Sequence, residues 1–549
     1  MSNHQKGITF QIQSRHQEVT GTSFFCTITF PNLESFNFLV DAGLFQEKDY
    51  LFLNRLLDFQ TTNFEHIFIT HNHSDHVGML PNLIKHNFKG TIYTSSKTRS
   101  LLPISLFDSA KIESKSPAIL KLPPLYTSED VSNTLRMVKG YAFEETFKIN
   151  DNIEATFFEN GHLLGAALIL IRAKYDNEEL NILFTGDYNN HNFFFTPKKL
   201  PNFVRNLDNL IIVQEATYGS GTKINKVGNF KEDIFEILKS GKSVFIPCIA
   251  QERYEVILAT LRNMQEDGKI PLTIPIYADS PLAHAYLEKY KKEYGTNFIP
   301  FGLQLIDPLM RNILPATVEQ KIVISSSGMC NHGPSEFYLS NIISNSNWAI
   351  YFTCYQAEGT LGKELLDFYN TLDARSKKVN KKLKKELSSD EITKLEDSLK
   401  FTLKDVKYSL KASIYSTSEF SSHASQEELI AFLHQFKHIS TILINHGEED
   451  VKEIYKSKLE DLQIADNVDI LSREKYFVLN KTGIVSKNNT KFIMVEPSVQ
   501  KKQMSSYKKK SKRDQTKTRY PRIRIRVYNT PANSYQMYYR NSHSISRWQ

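Results

Sequence analysis

The chain has 549 residues, 40% of them hydrophobic, so it can bury more than one core, and we expect two or three domains. Its net charge of +8 is uneven: residues 501–549 contain fourteen Lys or Arg and one Asp, which leaves −5 for the rest. The four cysteines form no Cys-x-x-Cys pair, and no signal-like or long apolar segment appears, which excludes a disulfide scaffold and a membrane-spanning protein. We therefore expect a soluble, cytoplasmic protein with reduced thiols.

The first predicted elements are antiparallel strands. Apolar and polar residues alternate between residues 7 and 30, and residues 36–40 form another apolar run that ends at Asp41. A carboxylate at the end of a strand can orient a metal-binding histidine by accepting a hydrogen bond from the ring nitrogen that does not bind the metal. Asp41 is a candidate for that role. The alternative is an ordinary turn aspartate close to a glycine.

A group of potential metal ligands follows the next predicted strand. The pattern predicts a buried strand over residues 65–70 and a helix over residues 76–85. The turn between them holds four ligand-type residues within six positions, namely His71, His73, Asp75 and His76. Two alternating histidines and an Asp-His pair can be divided between two neighbouring cations. The alternative is a solvated helix start capped by Ser74 or Asp75.

Two later strands also end at candidate ligands. A predicted strand over residues 153–158 leads to His162, which lies between two glycines that allow close backbone approach. Another predicted strand, residues 181–184, leads to Asp187. A carboxylate in that place can bridge two cations with one oxygen for each, and we assign this bridging role to Asp187.

The middle of the chain alternates strand and helix patterns from residue 206 to about residue 370, which predicts a mainly parallel α/β layer. One of its strands ends in hydroxyls and a glycine suited to holding a phosphate, at Ser325, Ser326 and Ser327. Arg253 is a candidate for a further phosphate contact, with a surface salt bridge as the alternative. Residues 364–412 are highly charged, which predicts exposed helices. Their role stays open between a solvated insertion, an RNA clamp and a partner contact.

The basic end of the chain has a composition of its own. Residues 501–549 interleave Lys and Arg with tyrosines and a tryptophan, a mixture suited to phosphate contact and base stacking. We expect this segment to be disordered until it binds RNA, and the alternative is a solubilising extension.

The ordered motifs resemble a known family. Asp41, the histidine turn, His162 and Asp187, each after a strand, resemble the metallo-β-lactamase fold, an αββα sandwich with its metals along one sheet edge. The segment 214–219 is similar to the Glu-x-Thr-Tyr-Gly segment of the β-CASP group, whose members include the cleavage and polyadenylation endonuclease, RNase J and archaeal nucleases. The resemblance continues through the motifs around His423 and residues 445–448, and covers roughly residues 17–450.

The resemblance implies a domain arrangement. Residues 1–205 would form the first part of the metallo-β-lactamase domain, and residues 206–413 an inserted α/β β-CASP domain with a charged helical insertion at about residues 366–411. Residues 414–490 would return to the first domain, and residues 491–549 would form the basic C-terminal tail.

The resemblance also implies a ligand set for two divalent metal ions, expected to be zinc. One ion would be held by His71, His73 and His162 and the other by Asp75, His76 and His423, with Asp187 between them. Asp75, Asp187, Glu215 and His423 would be the catalytic residues. The proton donor stays open between Glu215, His332 and Glu364, because many eukaryotic members have a histidine where Glu364 stands. His446 is expected near the site, in a role that stays open.

The function implied is that of a metal-dependent ribonuclease, endonucleolytic or acting from a 5′ end, in RNA processing or decay. Water activated by two metal ions would hydrolyse the phosphodiester bonds of RNA, expected to be single-stranded. A homodimer or a processing-complex partner is a further expectation. The alternatives are a DNA-processing nuclease of the same fold and a non-catalytic RNA-binding scaffold, and the intact ligand set argues against the scaffold.

The basic tail yields the first testable prediction. Deleting residues 501–549 is expected to weaken RNA binding most at low salt, because contacts between cations and phosphates lose strength as salt rises. Fluorescence anisotropy with labelled RNA over a range of salt concentrations measures this effect. An unchanged affinity at low salt would favour the solubilising extension.

Overall fold

A computed structural model describes most of the chain, in the ranges 7–17, 19–46, 50–55, 64–115, 123–221, 229–357, 359–382, 400–403 and 406–489. The chain divides into two compact units between Thr490 and Lys491. The predicted basic tail and residues 383–399 of the charged insertion lie outside the described residues. Within the described part, no helix has the length and apolar character needed to cross a membrane.

The strands of the described residues are numbered in chain order as β1 (Thr9–Ser14), β2 (Phe24–Thr29), β3 (Ser35–Val40), β4 (His66–Phe68), β5 (Thr91–Ser95), β6 (Val138–Tyr141), β7 (Thr146–Lys148), β8 (Ile153–Glu159), β9 (Ala167–Tyr175), β10 (Glu178–Phe184), β11 (Leu210–Glu215), β12 (Ser243–Pro247), β13 (Ile276–Asp279), β14 (Gln304–Leu305), β15 (Ile322–Ser325), β16 (Trp348–Phe352), β17 (Lys400–Leu403), β18 (Val406–Ser409), β19 (Ser413–Ser416), β20 (Ile439–Asn445), β21 (Asn467–Ile470), β22 (Lys475–Asn480) and β23 (Gly483–Asn489).

The α-helices of the same residues are α1 (Ser74–Val77), α2 (Leu80–Lys85), α3 (Ser96–Lys115), α4 (Ser128–Arg136), α5 (Asn202–Arg205), α6 (Phe230–Lys239), α7 (Arg253–Glu266), α8 (Pro281–Tyr294), α9 (Pro308–Ile313), α10 (Pro334–Ile342), α11 (Leu361–Lys382), α12 (Gln426–Leu433) and α13 (Glu449–Asp461). Two short 3-10 helices lie at Leu51–Arg55 and Leu314–Ala316.

Two sheets form a sandwich. The first has the strand order β23-β22-β1-β2-β3-β4-β5-β6 and the second the order β21-β20-β11-β10-β9-β8-β7. Their facing sides share one apolar core, in which Phe38 of the first sheet and Ile169 and Ile182 of the second are fully buried. Helices α1 to α4 pack on the outer face of the first sheet, and α12 and α13 pack on that of the second. The predicted αββα sandwich is confirmed.

A third sheet belongs to the inserted domain. Its six strands are all parallel, in the order β14-β13-β15-β12-β16-β19. Helices α6, α7 and α8 contribute buried residues to the core on one face, and α10 and α11 contribute to the core on the other. The α/β layer expected from the alternating pattern is present, because parallel strands need helical crossovers that cover both faces.

Two local predictions differ from the structure. Strand β11, placed in the inserted domain by the alternating pattern, lies in the second sheet of the sandwich between β10 and β20. Its six residues are all buried, so its pattern cannot distinguish one sheet interior from another. In the charged segment 364–412, helix α11 extends to Lys382 as predicted, whereas β17 and β18 pair as antiparallel strands where a helix was expected. The alternating residues Phe401 and Leu403 account for this, since both are buried against the inserted domain's core.

The strand directions bring the predicted ligands to one edge. Strands β3 and β4 are parallel, as are β10, β11 and β20, so the carboxyl ends of neighbouring strands coincide. Val40 pairs with Phe68, and Glu215 pairs with Asn445. The residues that follow these strands therefore meet along the same edge of the sandwich.

The histidine turn is held there by backbone contacts with the segment after β3. The amide of Asp41 donates to the carbonyl of Phe68 at 2.8 Å, and that of Ala42 donates to the carbonyl of His76 at 2.7 Å. A Cβ atom on Gly43 would lie 1.6 Å from the carbonyl oxygen of Asp75, so only glycine permits this approach. The predicted helix over residues 76–85 is interrupted between α1 and α2, where the amide of Met79 bonds to the Ala42 carbonyl instead.

Candidate metal centre

Asp187 lies at the centre of the predicted ligands. It follows β10 and is 2% exposed. Its Oδ2 lies 3.6 Å from Nε2 of both His71 and His162. Its Oδ1 lies 3.3 Å from Nε2 of both His76 and His446. Each carboxylate oxygen therefore faces a different pair of imidazoles, the arrangement predicted for a carboxylate between two cations.

One group of ligand atoms consists of His71, His73, His162 and Asp187, all within 4.8 Å of one another. Nδ1 of His73 and Nε2 of His162 are 3.2 Å apart. Ligands placed tetrahedrally about 2.0–2.1 Å from a zinc ion lie about 3.4 Å from one another. The spacing of these atoms therefore fits a single shared cation.

A second group consists of Asp75, His76 and His446, and a third, overlapping group of Asp187, His423 and His446. His446 follows β20, which the strand pairing places next to β11. His423 is more distant, since its Nε2 lies 3.9 Å from Oδ2 of Asp187. His446 carries the same sequence signal as Asp187, a ligand-type residue after a buried strand, and this signal could have identified it as a ligand.

Hydrogen bonds fix the orientation of the buried imidazoles. Asp41 accepts from the Thr70 amide at 2.8 Å and from the Thr70 hydroxyl at 2.7 Å, and it lies 2.7 Å from Nδ1 of His76. Because the Thr70 hydroxyl donates to Asp41, it accepts from Nδ1 of His71 at 3.0 Å. Nε2 of each imidazole is then the atom with a free lone pair. The predicted position of Asp41 behind a ligand agrees with these contacts.

The buried polar atoms without partners test whether a metal fits. Among the described residues, four atoms of the cluster are buried and have no hydrogen-bond partner, namely Nε2 of His71, His76 and His446 and Oδ1 of Asp187. An unpaired buried polar atom costs about 1–3 kcal/mol. The donor set, imidazole nitrogen and carboxylate oxygen, is the one that divalent transition metals bind. The cluster therefore fits a divalent metal ion.

The protonation states of the first ligand group agree with that fit. Burial lowers the pKa of His73 to about 4 and holds the pKa of His71 and His162 well below the usual histidine value. These imidazoles are consequently neutral near pH 7, the form that coordinates metal. The Nδ1 of His162 is 3.0 Å from the carbonyl oxygen of Ser422, which leaves its Nε2 toward Asp187. In the second group, burial lowers the pKa of His76, but the charges and hydrogen bonds of Asp187 and Asp41 outweigh it and raise that pKa well above the usual histidine value.

His423 has a different environment from the other histidines. Its Nδ1 lies 2.9 Å from Oε1 of Glu215, a carboxylate that also accepts from the Tyr188 amide at 2.6 Å. Burial by itself would lower the pKa of His423, but the charge and hydrogen bond of Glu215 outweigh it and raise that pKa to about 9. His423 is therefore a charged imidazolium near pH 7, and it lies beside Asp187.

A single hydroxyl connects this pair to His446. The Thr217 hydroxyl donates to Oε2 of Glu215 at 2.5 Å and lies 3.0 Å from Nδ1 of His446. Since its one hydrogen goes to Glu215, it accepts from Nδ1 of His446. Thr217 is the threonine of the Glu-x-Thr-Tyr-Gly segment, but the sequence assigned it no role of its own.

The predicted phosphate-binding serines are engaged within the inserted domain. Ser325 is fully buried, and the hydroxyl of Ser326 lies 2.6 Å from that of Ser280. The Ser327 hydroxyl donates to the carbonyl oxygen of His332 at 3.2 Å. Within the described part of the chain, no hydrogen bond or ion pair joins these serines to the ligand cluster.

The remaining predicted residues lie in different places. His332 and Glu364 are exposed, and no described contact connects either of them with the ligand cluster. Arg253 donates to the carbonyl oxygen of Thr353 and lines a cleft beside the metal centre. This cleft, of about 400 Å³, is lined by His73 and Phe193 from the sandwich and by residues of the inserted domain.

The fold and the ligand cluster define a metallo-hydrolase. Three family profiles match in succession: the metallo-beta-lactamase superfamily at residues 24–190, the Beta-Casp domain at residues 255–365, and the Zn-dependent metallo-hydrolase RNA specificity domain at residues 407–471. The chain therefore carries a metallo-beta-lactamase superfamily domain, a Beta-Casp domain and an RNA specificity domain, as the sequence motifs indicated.

Several characterised proteins are similar to this chain. Transcription termination factor FttA of Pyrococcus abyssi is 31% identical over 325 residues, which is 54% of this chain and 48% of that protein. Ribonuclease TTHA0252 of Thermus thermophilus is 26% identical over 430 residues, 75% of this chain and 88% of that one. The RNase J-like protein of Methanocaldococcus jannaschii is 28% identical over 399 residues, which is 70% of this chain and 81% of that protein. The chain thus aligns with about half the length of the Pyrococcus relative.

The hydroxyl of Thr217 yields a prediction about the metal centre. Thr217→Val removes the group that orients His446 and is expected to weaken divalent-metal affinity about 10- to 100-fold. Isothermal titration of the metal-free protein with zinc measures this change. Thr217→Ser keeps the hydroxyl and serves as the matched control. Equal affinities for the valine variant and the unaltered protein would contradict the orienting role.

Proposed function

We propose that this protein is a metal-dependent ribonuclease that hydrolyses phosphodiester bonds of RNA. The observation that carries the proposal is the convergence of two groups of ligand atoms on the two oxygens of Asp187. The match to an RNA specificity domain at residues 407–471 supports RNA as the substrate. Relatives named ribonuclease and RNase J-like, aligned over most of their own length, support the same reaction.

Two divalent cations would be held by this chain, and zinc is the ion that the imidazole and carboxylate donors favour. The residues that would hold them are His71, His73, His162 and Asp187 for one ion and Asp75, His76, His446 and Asp187 for the other. When bound, such ions lower the pKa of water and neutralise negative charge on a phosphate. The chain's own part is to bury the ligands and to orient them through Asp41, Thr70 and Thr217.

The protein also needs to deliver a proton to the departing oxygen, and His423 is our choice for that step. Its Nδ1 is paired with Glu215, and its pKa of about 9 leaves a proton on Nε2 at neutral pH. Glu215 would hold the imidazolium in place, and solvent would return a proton to Nε2 after the first one leaves. The sequence assigned His423 to the ligands, and it does lie in one group of ligand-type atoms with Asp187 and His446. We give the ligand position to His446 because its Nε2 lies closer to Asp187.

Cleavage of RNA in transcription termination is a second candidate. The similarity to transcription termination factors of Pyrococcus and Thermococcus supports it. This chain aligns with 48% of the length of those proteins. The comparison therefore supports the chemistry at the metal centre, which both candidate functions share.

The ligand assignment yields a prediction. Asp75→Ala combined with His76→Ala is expected to abolish cleavage of single-stranded RNA while RNA binding is retained, and chelation is expected to have the same effect on the unaltered protein. End-labelled RNA on denaturing gels measures cleavage. His438→Ala with Asp466→Ala is a matched control, because these residues form a partly exposed ion pair of 3.1 Å elsewhere on the protein. Absence of any cleavage by the metal-replete protein would refute the ribonuclease proposal.

The role of His423 yields another prediction. His423→Ala is expected to lower kcat about 10²- to 10⁴-fold, because a general acid contributes about that much, while the bound metal content stays unchanged. An RNA with sulfur in place of the departing oxygen needs no proton and is expected to restore most of the rate. Loss of one metal equivalent, measured by atomic emission, would instead make His423 a ligand.

A further inference from the structure

Glu252 is a buried acidic residue of the inserted domain that has no part in the proposed chemistry. It lies directly before helix α7, is 6% exposed, and its backbone lies in the left-handed region with a φ of 67°. That region suits glycine, because a side chain there is crowded by its own backbone. Burial also raises the pKa of its carboxyl group to about 7. A strained backbone and a buried carboxylate are both unfavourable, so the contacts of this side chain have to compensate for them.

The contacts of Glu252 cross from the inserted domain to the sandwich. Its Oε1 accepts from Nδ2 of Asn192, in the loop after β10, at 2.6 Å. Its Oε2 accepts from the amide of Leu164, in the loop after β8, over a longer distance of 3.4 Å. Tyr290 of helix α8 donates its hydroxyl to the same Oε2 and holds the carboxylate from the side of the inserted domain. One side chain of the inserted domain therefore fastens two loops of the sandwich.

The two loops meet beside His162. Asn192, in addition to its bond with Glu252, donates to the carbonyl oxygen of Gly161 at 3.1 Å. Gly161 directly precedes His162 in the chain, and Leu164 follows it by two residues. The contacts of Glu252, one direct and one through Asn192, thus hold the backbone on both sides of a predicted metal ligand.

We propose that Glu252 is a positioning residue of the metal centre, which fastens the loop of His162 to the inserted domain and thereby sets the place of the His162 imidazole. This inference rests on the proposed function, because it requires that the first ligand group holds a cation. It adds a residue that touches neither the metal nor the substrate and acts through the backbone of a ligand.

The packing of the same loop supports this role. Leu164 is 3% exposed and lies in the apolar core of the inserted domain, although its loop belongs to the sandwich. Leu101 of helix α3 lies in the same core. Apolar packing holds the loop against the inserted domain but has no preferred direction, whereas the hydrogen bonds of Glu252 do. The carboxylate therefore supplies the orientation that packing does not.

The other bonds of His162 leave this part of the loop to Glu252. The amide of His162 donates to Oδ1 of Asn160 at 3.0 Å, and its Nδ1 lies 3.0 Å from the carbonyl oxygen of Ser422. These bonds fix the start of the loop and the rotation of the ring, and the bond from Leu164 to Glu252 holds the end of the loop. Metal–ligand distances are kept to within about 0.2 Å, so a small shift of this backbone is enough to weaken ligation.

Replacement of Glu252 with glycine tests the proposal, since glycine removes the carboxylate and also relieves the backbone. Glu252→Gly is expected to weaken the binding of one zinc equivalent about tenfold, because loss of a group that supports a ligand costs about 10- to 100-fold in metal affinity. Isothermal titration of the metal-free protein with zinc measures this change. Glu144→Gly is the matched control, because Glu144 has the same φ of 67° and lies exposed in the turn between β6 and β7.

A comparison of glycine with alanine at residue 252 separates positioning from folding. Glu252→Ala lacks the carboxylate as well but keeps the strained backbone, so the metal-free alanine variant is expected to unfold at a lower temperature than the glycine variant. Both variants are expected to lose zinc affinity equally, because both lack the bonds to Asn192 and Leu164. Zinc affinities that instead follow the two unfolding temperatures would show that Glu252 acts on folding alone, which would overturn the proposal.

Asn192 tests the path by which the contact reaches His162. Asn192→Ala keeps Glu252 and is expected to weaken the binding of the same zinc equivalent. Combined with Glu252→Gly, it is expected to cost less than the product of the two single losses, because the two residues share one contact. Losses that multiply in full would contradict the shared path.

Zinc binding and RNA cleavage are measured separately, so the two proposals fail in different ways. If the unaltered protein binds zinc but cleaves no RNA, the ribonuclease proposal fails, and the zinc titrations still decide the role of Glu252. If it cleaves RNA while Glu252→Gly binds zinc as tightly as Glu144→Gly, the positioning role is refuted and the ribonuclease proposal stands. If the unaltered protein binds no zinc, both proposals fail together.

Discussion

The structure depends on bringing several buried imidazole lone pairs to one carboxylate. Nε2 of His71, His76 and His446 and Oδ1 of Asp187 are all buried and have no hydrogen-bond partner in the described part of the chain. Such an arrangement is costly by itself, since each atom has lost its water. It is stable only because the surrounding fold holds these atoms in place and a divalent cation suits them as a shared partner.

The sandwich supplies that rigidity through its strand directions. Parallel pairing of β10 with β11 and of β11 with β20 places Asp187, Glu215 and His446 at the ends of adjacent strands. Each side chain then needs only one orienting hydrogen bond, which Asp41, Thr70 or Thr217 provides. The inserted domain completes the site, because Ser422, on the segment that returns from it, bonds with His162, and its loops form the far wall of the cleft.

His423 and His446 show how the surroundings of a side chain decide its chemistry. His423 and His446 both lie near Asp187, but one faces a carboxylate and the other a hydroxyl. The contact with Glu215 keeps His423 charged, whereas His446 offers a free lone pair. In the proposed function, His446 would hold a cation and His423 would supply a proton beside it.

The sequence by itself determined the inserted α/β layer and the turn from His71 to His76, because strand periodicity and local ligand spacing are written in consecutive residues. The αββα sandwich followed from the resemblance of the ordered motifs to a known fold. The sequence could not assign β11 to a sheet, since a fully buried strand looks the same in either. It could not separate His423 from His446, or place the serines at 325–327, because those roles depend on contacts between residues far apart in the chain. Only the tertiary structure decided that Nδ1 of His423 faces Glu215 and that Nε2 of His446 faces Asp187.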